Sequence, residues 1–213
     1  RTGKPQVNYK HTILSPARQR LDFVKQLTPD IARRAGIEIA LEPLARGSGI
    51  SIEVPGMGKS LPQDCRLAIL QAIREVVDTG IPGGHPLTDM RITVVDVSYD
   101  ANESSELAFL TAARQALVEA IHLAGLAELE PVMRLEVSTP QDHVGNVIAD
   151  LTARNGRITE LDSLALGASR IVALLPLVEM FGYASQLRSL SAGRADFVAE
   201  PFQYDFSHAD AEP

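Results

Sequence analysis

Residues 176–195 read Pro176-Leu177-Val178-Glu179-Met180-Phe181-Gly182-Tyr183-Ala184-Ser185-Gln186-Leu187-Arg188-Ser189-Leu190-Ser191-Ala192-Gly193-Arg194-Ala195. Pro176 closes the mostly apolar run of residues 170–175. Val178, Phe181, Ala184 and Leu187 then recur every third residue, which predicts one face of a short helix. Gly193 stops that helix and Arg194 opens the next strand. Strand end, helix, glycine turn and strand make a βαβ fragment of a small domain.

The neighbouring stretches extend the fragment. Residues 132–137 alternate, with Met133, Leu135 and Val137 on one side, and read as a strand. Thr139 as cap, Pro140 at the first position and Asp142 near the positive end of the dipole predict a helix start. Val144, Val147, Ile148 and Leu151 face that helix inward, and Asn155-Gly156 ends it. Residues 157–162 and 170–175 are further strands, and 195–204 the last. The order is βαββαβ, the ferredoxin-like or split-βαβ arrangement.

A composition change near Ala127 marks a boundary. Before it, strands are expected at residues 6–14, 20–26, 37–41, 50–54 and 91–97, with a turn at Thr28-Pro29-Asp30. A helix over 62–78 buries Leu67, Leu70, Ile73 and Val77, with Pro62 near its start and Gly80 at its end. A longer helix over 104–124 is capped by Ser104 or Ser105, lined by Leu110, Ala113, Leu117, Ile121 and Ala124, and stopped by Gly125. Both halves are thus α+β. The expected division is 1–127, 128–206 and a polar, frayed tail at 207–213.

Net charge is −7, but it is divided unevenly. Residues 1–127 hold 14 basic and 14 acidic residues, whereas 128–213 hold 6 arginines and 13 acids. Residues 1–34 carry 8 basic residues against 2 acidic ones, a plausible phosphate-facing section. No apolar run approaches the about 20 residues of a membrane helix. Cys65 is the one cysteine, which fits a reducing, cytoplasmic setting. The opening Arg1-Thr2-Gly3-Lys4 has neither an initiator methionine nor a signal pattern, so a piece of a longer protein is expected.

No catalytic constellation is evident. Gly56-Met57-Gly58-Lys59-Ser60 imitates the end of a phosphate-binding loop, but the required first glycine would fall at Glu53, whose carboxylate repels phosphate. Cys65 reads as packed rather than reactive. His11, His85, His122, His143 and His208 show no ligand spacing with Cys or acids, so no metal is expected. The last domain lacks paired aromatics of the base-stacking kind. Phe197, Phe202 and Tyr204 read as core and edge residues.

The residue identities go further than the periodicity. Pro-Leu-x-Glu-Met-Phe-Gly-Tyr-Ala at 176–184 and Leu-Arg-Ser-x-Ser-x-Gly-Arg-Ala at 187–195 resemble the last domain of bacterial elongation factor G, the ribosomal translocation GTPase. Thr2-Gly3-Lys4-Pro5-Gln6-Val7-Asn8-Tyr9, Glu130-Pro131-Val132-Met133-Arg134-Leu135-Glu136-Val137 and Gly145-Asn146-Val147-Ile148-Ala149-Asp150-Leu151 agree in order. The resemblance covers nearly the whole chain and is patchier between Leu21 and Ser105. It implies the family's fourth and fifth domains: an elongated, ribosomal-protein-like α+β arm reaching the small-subunit decoding region, then a ferredoxin-like domain touching large-subunit RNA. The implied partners are the ribosome and the tRNA–mRNA module, with no membrane and a monomeric state. GTP and magnesium belong to an N-terminal domain outside this chain, so no cofactor is expected here.

In the family the arm's tip has two loops. Phe23-Val24-Lys25-Gln26 matches the strand before the first, but residues 27–36 replace its glycines while Lys25, Arg33 and Arg34 keep positive charge. In the second, Ser98, Tyr99, Ser104 and Ser105 match, and Asp100 stands where the tip histidine is usual. The resemblance assigns RNA contact to Lys25, Arg33, Arg34, Ser98, Tyr99, Asp100 and Asn102. In the last domain it assigns ribosome-facing roles to Arg188, Ser189 and Arg194. Asp100 should be repelled by phosphate, which raises the alternative of a divergent paralogue acting in ribosome recycling. Two other classes stand beside these: a stand-alone RNA-binding module, and a small-molecule enzyme using residues 56–60.

Overall fold

The computed structural model describes residues 7–28, 31–58, 60–164 and 167–207. They form two sheets and four α-helices. The described residues cluster into two compact units, Tyr9–Leu129 with Ser207 and Glu130–Phe206 with Val7 and Asn8. The expected turn at Pro29-Asp30, together with Lys59 and most of the polar tail, lies outside the described residues.

The first unit contains β1 (Lys10–Ile13), β2 (Ala17–Thr28), β3 (Ile31–Pro43), β4 (Ile50–Glu53), α1 (Gln63–Thr79), β5 (Met90–Ser98) and α2 (Glu106–Ala124). Its four-stranded sheet has the order β2-β3-β5-β4. The β2/β3 and β3/β5 pairs are antiparallel; β4 and β5 are parallel, and α1 is the connection between them. Period-two alternation puts Ile37, Ile39 and Leu41 of β3 and Met90, Ile92 and Val94 of β5 in the core. The two helices pack on each other, and α2 also covers β2 and β3.

Small residues set the helix packing. Ala68 and Ala72 of α1 and Ala112, Ala113, Ala116 and Ala120 of α2 are buried. Leu67, expected in the inner stripe of α1, is 54% exposed, while Ala68, Ile69 and Val76 face inward with the expected Ile73 and Val77. The buried face of α1 thus includes two alanines, and Leu67 lies outside it. α2 is long and apolar enough to cross a membrane by length and composition. Its buried row shows that this apolarity serves the core of the unit.

Both helix stops are glycines with positive φ, Gly80 at 76° and Gly125 at 74°. Ser105 is the cap of α2, and its hydroxyl oxygen accepts the Ala108 amide at 3.3 Å. The hairpin of β2 and β3 is longer than the apolar pattern predicts. Pairing runs from Ala17↔Leu41 to Thr28↔Ile31, with an irregularity between Gln26 and Thr28. Arg33 and Arg34, expected in a loop, therefore lie on a strand. Backbone hydrogen bonding carries the ladder past the point where the side chains stop covering a core.

In the second unit, β6 (Leu126–Pro140, from Glu130 on), α3 (Val144–Ala153), β7 (Arg157–Ser163), β8 (Ala168–Pro176), α4 (Tyr183–Leu190) and β9 (Asp196–Phe206) follow one another. The strand order is β9-β6-β8-β7, with β8 antiparallel to β6 and β7. This is the split-βαβ topology. Its core gathers Leu135, Val137, Val147, Leu151, Ile171, Ala173, Tyr183 and Leu187.

Two segments differ from expectation. β6 continues through Thr139 and Pro140, a 3-10 turn at Gln141–His143 follows, and no side chain among the described residues caps α3. In residues 176–195, Leu177–Met180 is a 3-10 turn and Gly182 adopts φ 77° before α4 begins at Tyr183. That left-handed residue resets the helical phase. Val178 and Phe181 are consequently exposed, and Tyr183 and Leu187, four apart, form the buried face. The strand opens at Asp196 rather than Arg194.

Candidate nucleic-acid interface

The end of the β2–β3 hairpin and the segment from β5 to α2 lie side by side. Strand pairing places Gly36 opposite Ser98. A Cβ on Gly36 would sit 2.7 Å from Asp22 Oδ1 and 2.8 Å from Ser98 Cβ, so the absence of a side chain permits this approach. The Arg34 amide donates to Glu103 O at 2.9 Å, and the Ser104 hydroxyl donates to Arg34 O at 2.9 Å. An ion pair of 2.9 Å joins Arg34 Nε to Glu103. Arg33 Nη1 donates to Asn102 O at 3.0 Å.

Asp100 organises its own loop. Its Oδ1 accepts the amides of Asn102 at 2.8 Å and Glu103 at 3.1 Å, and its own amide donates to Ser104 Oγ at 3.0 Å. The carboxylate therefore acts as a local turn acceptor of the Asx kind. Ser98 is the last residue of β5, and its Oγ accepts from Arg20 Nη2 at 2.9 Å. Arg20 also donates to Asp96 at 2.9 Å, and hydrogen bonds to Asp96 and then Asp22 raise its pKa above the ordinary value. Tyr99 is 37% exposed, with its ring stacked 6.5 Å from that of Phe109.

The structure thus brings Lys25, Arg33, Arg34, Ser98, Tyr99 and Asp100 around two depressions, with Asn102 joined to them through Arg33. One, of about 380 Å³, is lined by Asp22, Asp100 and Glu103 as well as Arg34. The other, of about 560 Å³, is lined by Lys25 and Arg33 with Leu27, Ser105 and Leu107, and no carboxylate among the described residues lines it. Phosphate is favoured only on the second side. The sequence reading did not separate these sides, because Arg34 and Glu103 meet only through the fold.

In the second unit Arg188 and Ser189 are exposed on α4, with the Ser189 hydroxyl donating to Ser185 O at 3.1 Å. Arg194 is exposed in the turn after α4, where its guanidinium contacts His143 Nε2. Arg188 stands in the last turn, at the negative end of the helix dipole. On the outer sheet face Arg170 binds Glu136, Glu160 and Asp162, and Arg134 binds Glu136 and Glu200. That face holds more acid than base. Phe197 packs edge-on against Tyr183 at 5.1 Å, Tyr204 donates to Asn8 O at 2.9 Å, and Phe202 is exposed on β9.

Residues 56–58 are no phosphate cradle. The Gly56 amide donates to Val94 O at 2.9 Å, and those of Met57 and Gly58 are bonded to Val54 and Gly56 carbonyls. The carbonyls of Met57 and Gly58 instead accept from Arg66. Nothing in the order of residues signals that His11, His85 and Glu128 converge, yet their ligand atoms lie within 4.8 Å of one another. Three separate segments supply them, so no local spacing records the cluster.

Family comparison agrees with this architecture. A model described as elongation factor G, domain IV matches residues 5–125, and one described as elongation factor G C-terminus matches residues 128–212. An elongation factor G of Paracoccus denitrificans (strain Pd 1222) is 37% identical over 212 residues, which is 99% of this chain and 29% of the relative. A crystal structure from Thermus thermophilus has a TM-score of 0.81 and 31% identity, over 97% of this chain and 30% of that one. The chain therefore spans less than a third of the length of either protein.

Proposed function

The chain belongs to the elongation factor G family, and from that premise we propose that it is the ribosome-binding part of a translation elongation factor that promotes tRNA–mRNA translocation. The observation that carries the reading is the Lys25–Arg33 side of the hairpin end, cationic and free of lining carboxylates among the described residues. Phosphate contacts there position a polyanion without reading its sequence. The mechanism is mechanical. A long two-stranded hairpin docked on a helical layer presents fixed charge, and binding energy favours one tRNA position over another. Hydrolysis of GTP with magnesium belongs to a domain outside this chain, and the second unit engages large-subunit RNA through Arg188, Ser189 and Arg194.

The test is single-turnover mRNA movement on pre-translocation ribosomes with the full-length parent protein. Fast GTP-dependent movement, slowed when Lys25 and Arg33 are both replaced by alanine, supports the reading. GTP hydrolysis without movement removes it. A second reading rests on Asp100. Its carboxylate is committed to the loop's own amides and offers RNA no donor, which favours a recycling paralogue. Subunit splitting together with recycling factor, in the absence of mRNA movement, selects that reading.

A further inference from the structure

A second cluster in the first unit lies apart from the hairpin end. His11 on β1 is the direct cross-strand partner of Glu128 in the antiparallel β1/β6 pair. His85 arrives from the connection between α1 and β5. Backbone bonds fix the arrangement: the His11 amide donates to Pro86 O at 2.8 Å, and the Thr88 amide to His11 O at 2.9 Å. Two glycines make the space. A Cβ on Gly80 would lie 2.2 Å from His85 O, and one on Gly84 would lie 3.1 Å from His11 Nδ1.

We propose that His11, His85 and Glu128 form a binding site for a divalent transition ion of the Zn²⁺ class. Two imidazoles and one carboxylate suit Zn²⁺, Co²⁺ or Ni²⁺ and disfavour Mg²⁺ and Ca²⁺, which take oxygen ligands. His85 Nε2 lies 3.5 Å from Glu128 Oε2. Tetrahedral Zn²⁺ with bonds of about 2.0–2.2 Å needs ligand atoms about 3.3–3.6 Å apart. That edge is preformed, and the His11 ligand atom lies within 4.8 Å of the other two. The rings of His11 and His85 are 5.1 Å apart, and Tyr9 flanks His85 at 5.6 Å.

The site carries a built-in competitor. His11 Nδ1 accepts the His85 amide at 3.1 Å, so the neutral ring keeps its proton on Nε2. Coordination through Nδ1 displaces the amide contact; coordination through Nε2 moves the ring proton to Nδ1, which then no longer accepts the amide. Either cost makes the site weaker than a closed four-ligand centre. It would tie β1, β6 and the α1–β5 connection together when loaded.

Calorimetric titration of the 213-residue chain with ZnCl₂ tests the proposal. One saturable Zn²⁺ per chain is expected, weakened at least about tenfold by His85→Ala and by Glu128→Gln, and unaffected by His122→Ala. Magnesium should give no heat of binding. Nitrogen-15 spectra of the imidazoles in the unmodified chain should show the His11 and His85 signals shifting with Zn²⁺ and those of His122 staying still, a readout independent of how the variants fold. No saturable binding, full binding by both substituted chains, or shifts confined to other histidines would each overturn it.

Discussion

Lys25 and Arg33 stand directly opposite each other as a cross-strand pair in the β2–β3 hairpin. Like charges so placed cost about 0.2–1 kcal/mol, whereas the neighbouring Arg34 is neutralised by Glu103. Among the described residues no carboxylate forms an ion pair with either member of the pair, although Arg33 donates to Asn102 O. Lys25→Ala and Arg33→Ala should each weaken ribosome binding and reduce the slope of log affinity against log salt by about 1. Arg34→Ala should change the slope less. Binding measured over a series of potassium chloride concentrations decides this; equal slopes in all three variants would count against the assignment.

Asp100 leads to a prediction about order rather than charge. Its Oδ1 accepts two loop amides, at 2.8 and 3.1 Å. Asp100→Ala removes the acceptor and should cost the loop about 1 kcal/mol, while Asp100→Asn keeps an oxygen there and should cost less. Amide hydrogen exchange at Asn102 and Glu103 reports it directly. Faster exchange in the alanine variant than in the asparagine variant is expected, and identical rates would remove the turn-acceptor role.

How much of this was legible in the sequence depended on how local each signal was. Gly80 and Gly125 as helix stops, Ser105 as cap, and the βαββαβ order of the second unit all rest on short-range chemistry and were readable. Arg33 and Arg34 were not readable as strand residues, because a hairpin beyond the core is held by backbone pairing and needs no apolar alternation. Leu67 was misplaced because Ala68 and Ala72 share the buried face of α1 with Ile69 and Ile73, while Leu67 lies outside it. In residues 176–195 the motif was informative while its periodicity misled, since Gly182 breaks the phase. At the hairpin end the residue types were visible, but the pairing of Arg34 with Glu103 and of Arg33 with Asn102 joins segments far apart in the chain, and no local pattern encodes it.

Two glycines of one loop provide a matched stability test. A Cβ on Gly56 would lie 2.3 Å from Val95 C and 2.5 Å from Asp96 N, both backbone atoms of β5. On Gly58 the nearest atom would be Ser60 Oγ at 3.9 Å. Gly56→Ala should destabilise the first unit by about 1–3 kcal/mol through overpacking, and Gly58→Ala should stay within about 0.5 kcal/mol of the parent. Denaturant unfolding measures both. Equal effects would mean that close approach to β5 does not explain Gly56.

Tyr183 is fully buried, and its hydroxyl makes no hydrogen bond among the described residues. Its ring lies edge-on to Phe197 and 5.5 Å from the Arg154 guanidinium. Burial, helped by the Asp150 charge and opposed by Arg154, pushes the phenol well above its usual range. A buried hydroxyl without a partner costs about 1–3 kcal/mol, so Tyr183→Phe should leave the second unit as stable as the parent or more so at neutral pH. Above pH about 10 the unfolded tyrosine ionises while the folded one keeps its proton. The unfolded state then binds fewer protons, and stability contributed below that pH is lost as pH rises. The phenylalanine variant lacks this loss, so its advantage in urea unfolding should widen from neutral pH to above pH about 10. A constant difference across that range would show that the hydroxyl reaches solvent or a partner.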